Sequence, residues 1–298
     1  MKGLSNSPRV TIITVNYKQP RVTCELLCSI SKLTYPNLET IVVDNAQTDD
    51  DSNHFKNCLN KVQVINIKDN IGFAGGNNIG IKKSTGDFIL LLNNDTEIKN
   101  GVIEGLIDVY KNNENIGAVS PILKYHDTPE KIQFAGFTKV NSLTGRNELI
   151  QAKPPKSLIQ TPYFHGAAVM IPKQIIEECG LMPEEYFLYY EELEWSRCIV
   201  QKGYEIKVAT DLEVYHKESI TTGKNSPLKV YYQNRNRIHF MKKGPSSIMP
   251  FVLFFFLFSI PKNVISHLLN REIKHLIAFT KAVNDGFISP KYGQQPFA

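Results

Sequence analysis

The chain has 298 residues, of which 42% are hydrophobic and 21% are charged. This length and composition are typical of a globular protein with one large or two modest domains, and they exclude a fibrous or disordered chain. The net charge of +5 is uneven, because residues 1–223 carry 23 Lys and Arg against 27 Asp and Glu, whereas residues 224–298 carry 11 against 2. A basic tail on a mildly acidic body predicts an anionic surface as partner of the tail, unless the tail is only a solvated face. No nucleic acid is expected as a partner.

The first half of the chain alternates strand and helix patterns. Apolar, β-branched segments predict strands, and apolar residues at helical spacing predict helices. The predicted strands are residues 9–17, 38–46, 62–67, 87–93 and 116–123, and the predicted helices are residues 20–33 and 101–112. Alternating segments with nearly continuous apolar strands predict an α/β fold, with a mostly parallel central sheet and helices on both faces.

The second half is less regular until residue 167. Residues 167–180 predict a strand and then a helix that ends at Gly180, because glycine commonly follows the last helical turn. Residues 189–203 predict another helix, and residues 204–216 predict extended structure. We therefore expect a sheet-and-helix domain over residues 1–240 and a C-terminal helical segment over residues 241–298.

The C-terminal segment contains an apolar run at residues 247–261, with lysines on both sides. About 14 apolar residues are fewer than the roughly 20 that an ordinary spanning helix needs. Apolar residues flanked by cations predict a segment that lies in the inner interface of the cell membrane. The alternatives are a buried core helix and a true span lengthened through residues 262–269.

The cysteines and the N-terminal residues bear on the cellular location of the protein. The five cysteines form no CxxC pair, and the first ten residues include no apolar segment of the kind that directs secretion. We therefore expect reduced thiols and a cytoplasmic protein, peripheral at the inner face of the membrane.

Polar side chains stand at the ends of three predicted strands. Ligands of open α/β sheets bind at the carboxyl ends of strands, so these side chains are expected to converge on one crevice. Asn and Asp are also common turn formers, which is the alternative at each single position. The residues are Asn16 and Tyr17 after the first strand, Asp44 and Asn45 after the second, and Asn93, Asn94 and Asp95 after the fourth.

Asp95 is the last residue of the segment "ILLLNND", in which an apolar strand ends in two amides and one acid. Hard divalent cations prefer oxygen ligands and often share them with substrate phosphates. Asp95 is therefore a candidate ligand of a metal that bridges a diphosphate; the alternative is a capping turn before the next helix.

A glycine-rich segment, "DNIGFAGGNNIGIKKSTGD", lies between the third and fourth strands. Its spacing is neither GxGxxG nor GxxxxGK[ST], which excludes the usual dinucleotide and P-loop interpretations. Glycines allow close approach of the backbone, so a loop that opens a helix here is a weak indication of a phosphate or sugar ligand. The glycines are Gly72, Gly75, Gly76 and Gly80.

Three glutamates, Glu191, Glu192 and Glu194, start the predicted helix at residue 189, among several aromatic residues. Acids at a helix start are favoured by the helix dipole, but carboxylates in apolar surroundings are often functional. Glu191 and Glu194 share a helix face and Glu192 does not, so the three are not expected to have one role. His216 follows the last extended segment, and a lone histidine is more often structural.

The ordered set of segments resembles the family 2 glycosyltransferases, and in particular the bacterial rhamnosyltransferase-like and galactofuranosyltransferase-like enzymes. The resemblance covers about residues 9–240. The segments are "TIITVNYK", "IVVDNAQTDD", "NIGFAGGNNIGI", "FILLLNNDTEI", "FHGAAVMI", "FLYYEELEWSRCIVQKGYEI" and "VYHKES".

This resemblance implies a GT-A fold, a nucleoside-diphosphate sugar donor, Mg²⁺ or Mn²⁺, and inversion at the anomeric carbon. It assigns Asn16 and Asp44 to the nucleoside, and residues 72–77, including Asn77, to the nucleotide site. Asn93, Asn94 and Asp95 occupy the family's DxD-type position. Glu192 falls on the catalytic base, Glu191 on its acidic partner, and His216 on a histidine that joins the metal in some relatives.

Two positions depart from the family pattern. Position 93 is Asn where many relatives have Asp, which leaves Asp95 as the only charged ligand of that motif and favours His216 as a further ligand. The acidic pair is Glu-Glu where Glu-Asp or Asp-Asp is usual, and an extra methylene shifts a positioned base by over an ångström.

The predicted activity is transfer of a sugar from a UDP- or dTDP-linked donor to a glycan or lipid-linked acceptor in bacterial surface polysaccharide synthesis. The alternatives are a nucleotidyltransferase of related fold, a non-catalytic nucleotide-sugar-binding subunit and a structural membrane adaptor. Arg235 and Arg237, in "YYQNRNRIHFMKK", are candidates to meet a diphosphate, lipid headgroups or solvent.

Overall fold

The computed structural model describes residues 7–46, 51–217, 226–244 and 247–288. Within these ranges the strands are β1 (Val10–Asn16), β2 (Leu38–Asn45), β3 (Gln63–Ile67), β4 (Phe88–Leu92), β5 (Thr96–Glu97), β6 (Ile116–Tyr125), β7 (Ile132–Phe134), β8 (Leu158–Gln160), β9 (Ala168–Pro172) and β10 (Glu205–His216). The α-helices are α1 (Pro20–Ile30), α2 (Ser52–Cys58), α3 (Gly72–Lys83), α4 (Val102–Lys111), α5 (Lys173–Cys179), α6 (Glu191–Gln201), α7 (Pro227–Lys242), α8 (Met249–Phe254), α9 (Ile260–Leu269) and α10 (Ile273–Phe287).

The strands form one sheet in the order β3-β2-β1-β4-β9-β6-β10-β5, with β7 beside β6 and β8 beside β10. The run β3-β2-β1-β4 is parallel throughout, and so is the β6–β10 pair. β9 lies antiparallel between β4 and β6, which makes the sheet mixed. A strand parallel to its neighbours needs a crossover connection to the other end of the sheet, which an antiparallel β9 does not need. Apart from β9 and the short strands at the edges, the predicted α/β class with its mostly parallel sheet is confirmed.

The buried strands separate two cores. In β1, Ile12 faces one cluster together with residues of α1 and α4, and Ile13 faces the other cluster together with residues of α3, α5 and α6. Successive side chains of a strand point to opposite faces, so each apolar strand seals both helix layers. All five residues of β4 are buried, which explains why its sequence is continuously apolar.

The glycine-rich segment is a helix rather than a loop, because α3 begins at Gly72 itself. A Cβ on Gly76 would lie 2.9 Å from a methyl of Val15, and a Cβ on Gly80 would lie 2.4 Å from a methyl of Ile13. These two glycines therefore let α3 pack closely against β1. The prediction that glycine allows a close approach is confirmed, but the neighbour at these positions is the sheet.

The C-terminal helices fold back onto the body. α10 packs along α7, where the Tyr231 hydroxyl donates to Asp285 at 2.7 Å and Ile238 packs on Gly286. The proposed domain boundary at residue 240 falls within α7, which is one continuous helix.

The apolar run is part of a longer helical stretch, Met249–Leu269, in which α8 and α9 are joined by one π-helical turn. Its 21 residues are long and apolar enough to cross a membrane, and only 11% of its most apolar window is buried. Phe251 and Phe255 pack inward against Ile238, whereas Leu257 and Leu269 are exposed. This low burial disfavours the alternative of a buried core helix.

Candidate active site

Three strand ends are joined by buried hydrogen bonds, as their positions in a parallel sheet predict. The Asn16 amide donates to Asp44 Oδ1 at 2.7 Å, and the Thr23 hydroxyl donates to Asn16 Oδ1 at 2.7 Å. The Asn94 amide donates to Thr23 Oγ1 at 3.2 Å. The ends of β1, β2 and β4 therefore share one network, and Thr23 of α1, which the sequence did not indicate, links them.

Asn45 has a supporting role that the sequence did not reveal. Its amide donates to Asn70 Oδ1 and to the Gly72 carbonyl, and its own oxygen accepts from the Ile71 N–H at 3.0 Å. These bonds hold the turn that opens α3 beside the end of β2. Tyr17 lies half-buried at the end of β1, next to this region.

Asp95 and His216 meet in the folded chain. Asp95 Oδ1 lies 3.1 Å from His216 Nε2, and each side chain is 7% exposed. His216 Nδ1 lies 2.7 Å from Gln133 Oε1. Because an amide oxygen only accepts, Nδ1 donates to Gln133 and Nε2 faces the carboxylate. A cation between Nε2 and the carboxylate oxygen, either a proton or a metal ion, would stabilise these two atoms at this distance.

The donor set of this pair fits a divalent cation. Neighbouring ligands of an octahedral ion at about 2.1 Å are about 3.0 Å apart, close to the separation observed. Asn93 Oδ1 is buried and has no hydrogen-bond partner among the described residues. No group of three or more His, Cys, Asp or Glu side chains that could hold a metal occurs in that part of the chain. Asp95 and His216 therefore fit a divalent cation, and the unpartnered amide oxygen of Asn93, two residues before Asp95, is a candidate third ligand.

The capping alternative for Asp95 is not supported by the geometry. The N-cap residue of α4 is Gly101, and no side chain caps this helix. The Asp95 carbonyl instead accepts from the Lys217 N–H, which ties the end of β4 to the residue after His216.

The two candidate catalytic glutamates open α6 in buried surroundings. Neither Glu191 Oε2 nor Glu192 Oε2 has a hydrogen-bond partner within the described ranges. Burial raises the pKa of Glu192 to about 7, although backbone N–H groups partly offset the effect. Burial and the neighbouring charge of Glu192 raise the pKa of Glu191 well above its ordinary value. The pKa of Glu192 lies near neutral pH, so Glu192 is the carboxyl group suited to exchange a proton.

Glu194 differs from Glu191 and Glu192, although the helix periodicity put it on the same face as Glu191. It accepts from the Tyr186 hydroxyl at 3.1 Å and pairs with Arg197. A carboxylate with both partners satisfied is part of the packing, so the three acids of this helix are not equivalent.

The turn before the acidic pair is strained and is held from α7. Phe187, Tyr189 and Tyr190 all have positive φ values, between 63° and 74°, which cost energy for residues with a Cβ. The buried amide of Asn236 lies within 2.9 Å of the carbonyls of Tyr186, Leu188 and Tyr189, to which it donates.

Arg235 reinforces the same turn. Its guanidinium donates to the carbonyls of Glu185 and Tyr186, and its Nε donates to the side chain of Asn236 at 2.8 Å. Arg235 is therefore a positioning residue within the fold and does not point to solvent. Sequence reasoning missed Asn236, because its partners lie about 50 residues away.

A series of contacts connects the Asp95–His216 pair to the acidic pair. The rings of His216 and His165 meet edge to face, with centroids 6.1 Å apart. Gly166 follows, and a Cβ on this glycine would lie 3.9 Å from Glu192 Cβ and 3.5 Å from the Phe73 ring. The N–H of Phe73 in α3 donates to the Phe187 carbonyl at 2.8 Å. The structure thus brings the strand end, the late histidine, α3 and the paired glutamates into one region.

Glu192 faces a cavity of about 330 Å³. This volume is within the range of small-molecule sites. The cavity is lined by Phe137, Arg146, Asn147, Tyr189, Tyr190, Glu192, Leu193, Gln233, Asn234 and Arg237. A candidate base, two cations and several aromatic rings therefore face a single space.

The family model described as "Glycosyl transferase family 2" matches residues 11–180. The chain is 27% identical over 241 residues to the low-salt glycan biosynthesis hexosyltransferase Agl10 of Haloferax volcanii, covering 76% of this chain and 74% of the relative. It is 26% identical over 226 residues to the dTDP-rhamnosyl transferase RfbF of Shigella flexneri, covering 72% and 74%.

Solved structures show the same fold at low identity. GalNAc-T7, crystallised with UDP, GalNAc and Mn²⁺, matches with a TM-score of 0.63 at 15% identity, over 88% of this chain and 59% of that chain. The mannosyltransferase PcManGT of Pyrobaculum calidifontis, in complex with GDP-Man and Mn²⁺, matches with a TM-score of 0.61 at 14% identity, over 96% and 89%.

Proposed function

The chain belongs to glycosyl transferase family 2, and from this premise we propose that it is a metal-dependent, inverting transferase that uses a nucleoside-diphosphate sugar. The observation that carries the proposal is the contact path from the Asp95–His216 pair to the unpaired carboxyls of Glu191 and Glu192. A cation site and a proton-accepting site in one region are what displacement of a diphosphate by a hydroxyl requires.

The donor is proposed to bind along the strand ends. Asp44 and Asn16 are placed to meet the nucleoside, and the turn that opens α3 lies beside them. The dTDP-rhamnosyl transferase relative favours a dTDP-linked donor, and the solved GT-A neighbours with UDP keep a UDP-linked donor as the second choice.

Different residues are proposed to carry the different steps of the transfer. Asp95 and His216, with the amide oxygen of Asn93, would hold Mg²⁺ or Mn²⁺, which supplies positive charge to the diphosphate leaving group. Glu192 removes the proton from the attacking hydroxyl, because its pKa lies near the working pH. Burial and the charge of Glu192 raise the pKa of Glu191, which favours its neutral form beside an ionised Glu192.

The acceptor is proposed to be a glycan or lipid-linked glycan at the cytoplasmic face of the membrane. The exposed apolar side chains of residues 249–269 support a membrane interface next to the site. Surface polysaccharide synthesis, the process we propose, uses acceptors of this kind.

One assay tests the proposal directly. The full chain is incubated with UDP-, dTDP- and GDP-linked sugars and Mn²⁺ or Mg²⁺, and release of nucleoside diphosphate is followed. We expect turnover with one nucleotide class, abolished by chelation of the metal and by Glu192→Gln, with nucleotide binding retained in the variant. Pyrophosphate release from a nucleoside triphosphate would instead indicate a nucleotidyltransferase, and binding without turnover would indicate a non-catalytic subunit.

A further inference from the structure

A second, larger cavity adjoins the one that contains Glu192. It has a volume of about 720 Å³, and its wall shares Arg146 and Arg237 with the smaller cavity. Its lining residues are Thr138, Lys139, Asn141, Thr144, Arg146, Glu148, Arg237, Phe254, Phe258, Ser259, Lys262 and Asn263. The shared arginines make it an extension of the candidate active site toward the apolar segment 249–269.

Arg237 is a buried cation that the protein only partly satisfies. It is 2% exposed, and its Nε donates to the Thr144 carbonyl while one terminal nitrogen donates to the Ser259 hydroxyl at 3.3 Å. Its other terminal nitrogen, Nη1, is buried and has no hydrogen-bond partner among the described residues. A buried, unpaired guanidinium N–H is costly, which indicates that an acceptor belongs beside it.

The surroundings increase the cationic character of this site. Arg237 forms no salt bridge with a carboxylate in the described part of the chain, and the positive charge of Arg146 lies near it. Asn147 provides a second orphan donor, because its amide nitrogen in the wall of the smaller cavity is buried without a partner. Among the described residues, four cations and one carboxylate line the larger cavity. An anion with several acceptor oxygens would satisfy the two arginines that line both cavities.

The helical stretch 249–269 gives the larger cavity its apolar part. Phe254 and Phe258 line the cavity, and their rings stack with centroids 5.5 Å apart, while Ser259, Lys262 and Asn263 of the same stretch add polar groups. Leu257, next to Phe258 in the chain, is exposed. A ligand in this cavity therefore meets both cations and an apolar surface that continues to the outside, which is the chemistry of a phosphate on a lipid chain.

We propose that the larger cavity binds the phosphate of a lipid-linked acceptor, with Arg237 and Arg146 on the phosphate oxygens and the lipid along Phe254 and Phe258. This rests on the proposed transferase function and specifies its acceptor. The acceptor sugar then extends into the smaller cavity, past Asn147, toward Glu192. The proposed site of the donor diphosphate is at Asp95 and His216, which line neither cavity, so the two phosphate sites are distinct.

Vesicle binding of the full chain tests the phosphate site. Phosphatidylcholine vesicles that contain a small fraction of a long-chain isoprenoid phosphate are compared with vesicles of equal charge that contain phosphatidylglycerol. We expect the unmodified chain to prefer the isoprenoid phosphate at least tenfold. Equal binding to both vesicles would mean a general basic surface and would overturn the proposal.

Matched variants locate the effect. We expect Arg146→Ala and Lys262→Ala, both in exposed positions of the cavity wall, to lose the preference about five- to tenfold. Lys274→Ala removes the same charge from an exposed position of α10 outside either cavity, and it should keep the preference. Arg237→Lys keeps a charge but not the planar fork, and its preference should fall although the fold is retained. An unchanged preference in Arg146→Ala and Arg237→Lys would overturn the proposal.

Two further arms separate the possible sources of the anion. Inorganic pyrophosphate should not displace the chain from isoprenoid phosphate vesicles at concentrations that saturate the donor site, and displacement would indicate a site for free phosphate instead. Thermal shift with UDP or dTDP and Mn²⁺ reports the donor site. If the chain binds nucleotide but does not prefer isoprenoid phosphate, the proposed phosphate site is overturned and the proposed function stands. If the chain prefers isoprenoid phosphate but does not bind nucleotide, the phosphate site stands and the proposed function is contradicted.

Discussion

Asp95 and His216 lie 3.1 Å apart across the end of the sheet, although one follows β4 and the other ends β10. The Gln133 amide oxygen fixes the proton of His216 on Nδ1 and leaves Nε2 to face the carboxylate. This arrangement favours binding of a cation between the two side chains. Each side chain then needs the other to hold that cation.

Removal of either member of this pair should abolish metal dependence. We expect Asp95→Asn and His216→Ala each to reduce transfer by about 10²–10³-fold, because the charge that stabilises the leaving group is lost. Stabilisation by Mn²⁺ in the presence of nucleotide, measured as a thermal shift, should disappear in both. Gln133→Ala, which frees the His216 ring, should weaken the metal effect by about tenfold. Full Mn²⁺ dependence in Asp95→Asn would contradict the site.

Glu192→Gln should remove the base and little else. The amide has the same shape as the carboxyl, so nucleotide affinity should stay within about twofold while transfer falls by about 10²–10⁴-fold. Glu191→Gln should cost less, because burial and the charge of Glu192 raise the pKa of Glu191 and favour its neutral form, which an amide resembles. Single-turnover kinetics with bound donor separates the chemical step from binding, and a larger loss in Glu191→Gln would reverse the assignment.

The burial of Glu192 also predicts a pH dependence of stability. The pKa of this carboxyl is raised from 4.5 to about 7 in the folded chain, so the folded state binds its proton more tightly than the unfolded state. The stabilisation is fully present below pH 4.5 and is lost as the pH rises through about 7. Urea denaturation midpoints should fall over this window, and Glu192→Gln should flatten the fall. The rate of transfer should rise over the same interval as Glu192 becomes ionised.

The sequence predicted the parts of this site that are local in the chain. Asp95 was found because it ends an apolar strand, and Glu191, Glu192 and Glu194 because they open a helix among aromatic residues. Only the resemblance to the family singled out Glu192. Asn236 was not found, because its amide acts on carbonyls about 50 residues earlier and no pattern near position 236 shows this. For the same reason the sequence left Arg235 open between a diphosphate, lipid headgroups and solvent. It did not predict the contact of Arg235 with the carbonyls of Glu185 and Tyr186. The long-range partners of a polar side chain depend on how the helices and strands pack, and the periodicity of the sequence does not predict this packing.

Asn236 should contribute to both stability and catalysis. Asn236→Ala removes a donor from three buried carbonyls, of which only that of Tyr186 keeps Arg235 as a donor, and it releases a strained turn, so we expect a loss of about 2–3 kcal/mol in the free energy of unfolding. The turn carries Glu192, so kcat should fall while KM for the donor changes little. Asn113→Ala is the matched control, because Asn113 follows α4 and its amide donates to a single carbonyl, that of Val109 in this helix. Equal effects of the two variants on kcat would contradict the positioning role.

The packing role of Gly76 can be separated from a role in nucleotide binding. Gly76→Ala should cost about 1–3 kcal/mol, because its Cβ would lie 2.9 Å from Val15 Cγ1. Val15→Ala in the same chain removes that methyl and should restore part of the stability, which a double-mutant cycle would measure as a favourable coupling. A loss of nucleotide affinity that Val15→Ala does not repair would instead place a ligand against this glycine.

The helical stretch 249–269 should lie in the membrane interface and not cross it. α7 precedes the stretch and α10 follows it, and these helices are tied together by the Tyr231–Asp285 hydrogen bond. Both ends of the stretch are therefore held on the side of the body, and α10 also carries the exposed cation Lys274. We expect alkaline carbonate to release the chain from membranes, as it does for interfacial proteins, and Leu257→Glu to abolish membrane binding with the fold intact. Retention after carbonate treatment would require a spanning helix and a different packing of α10.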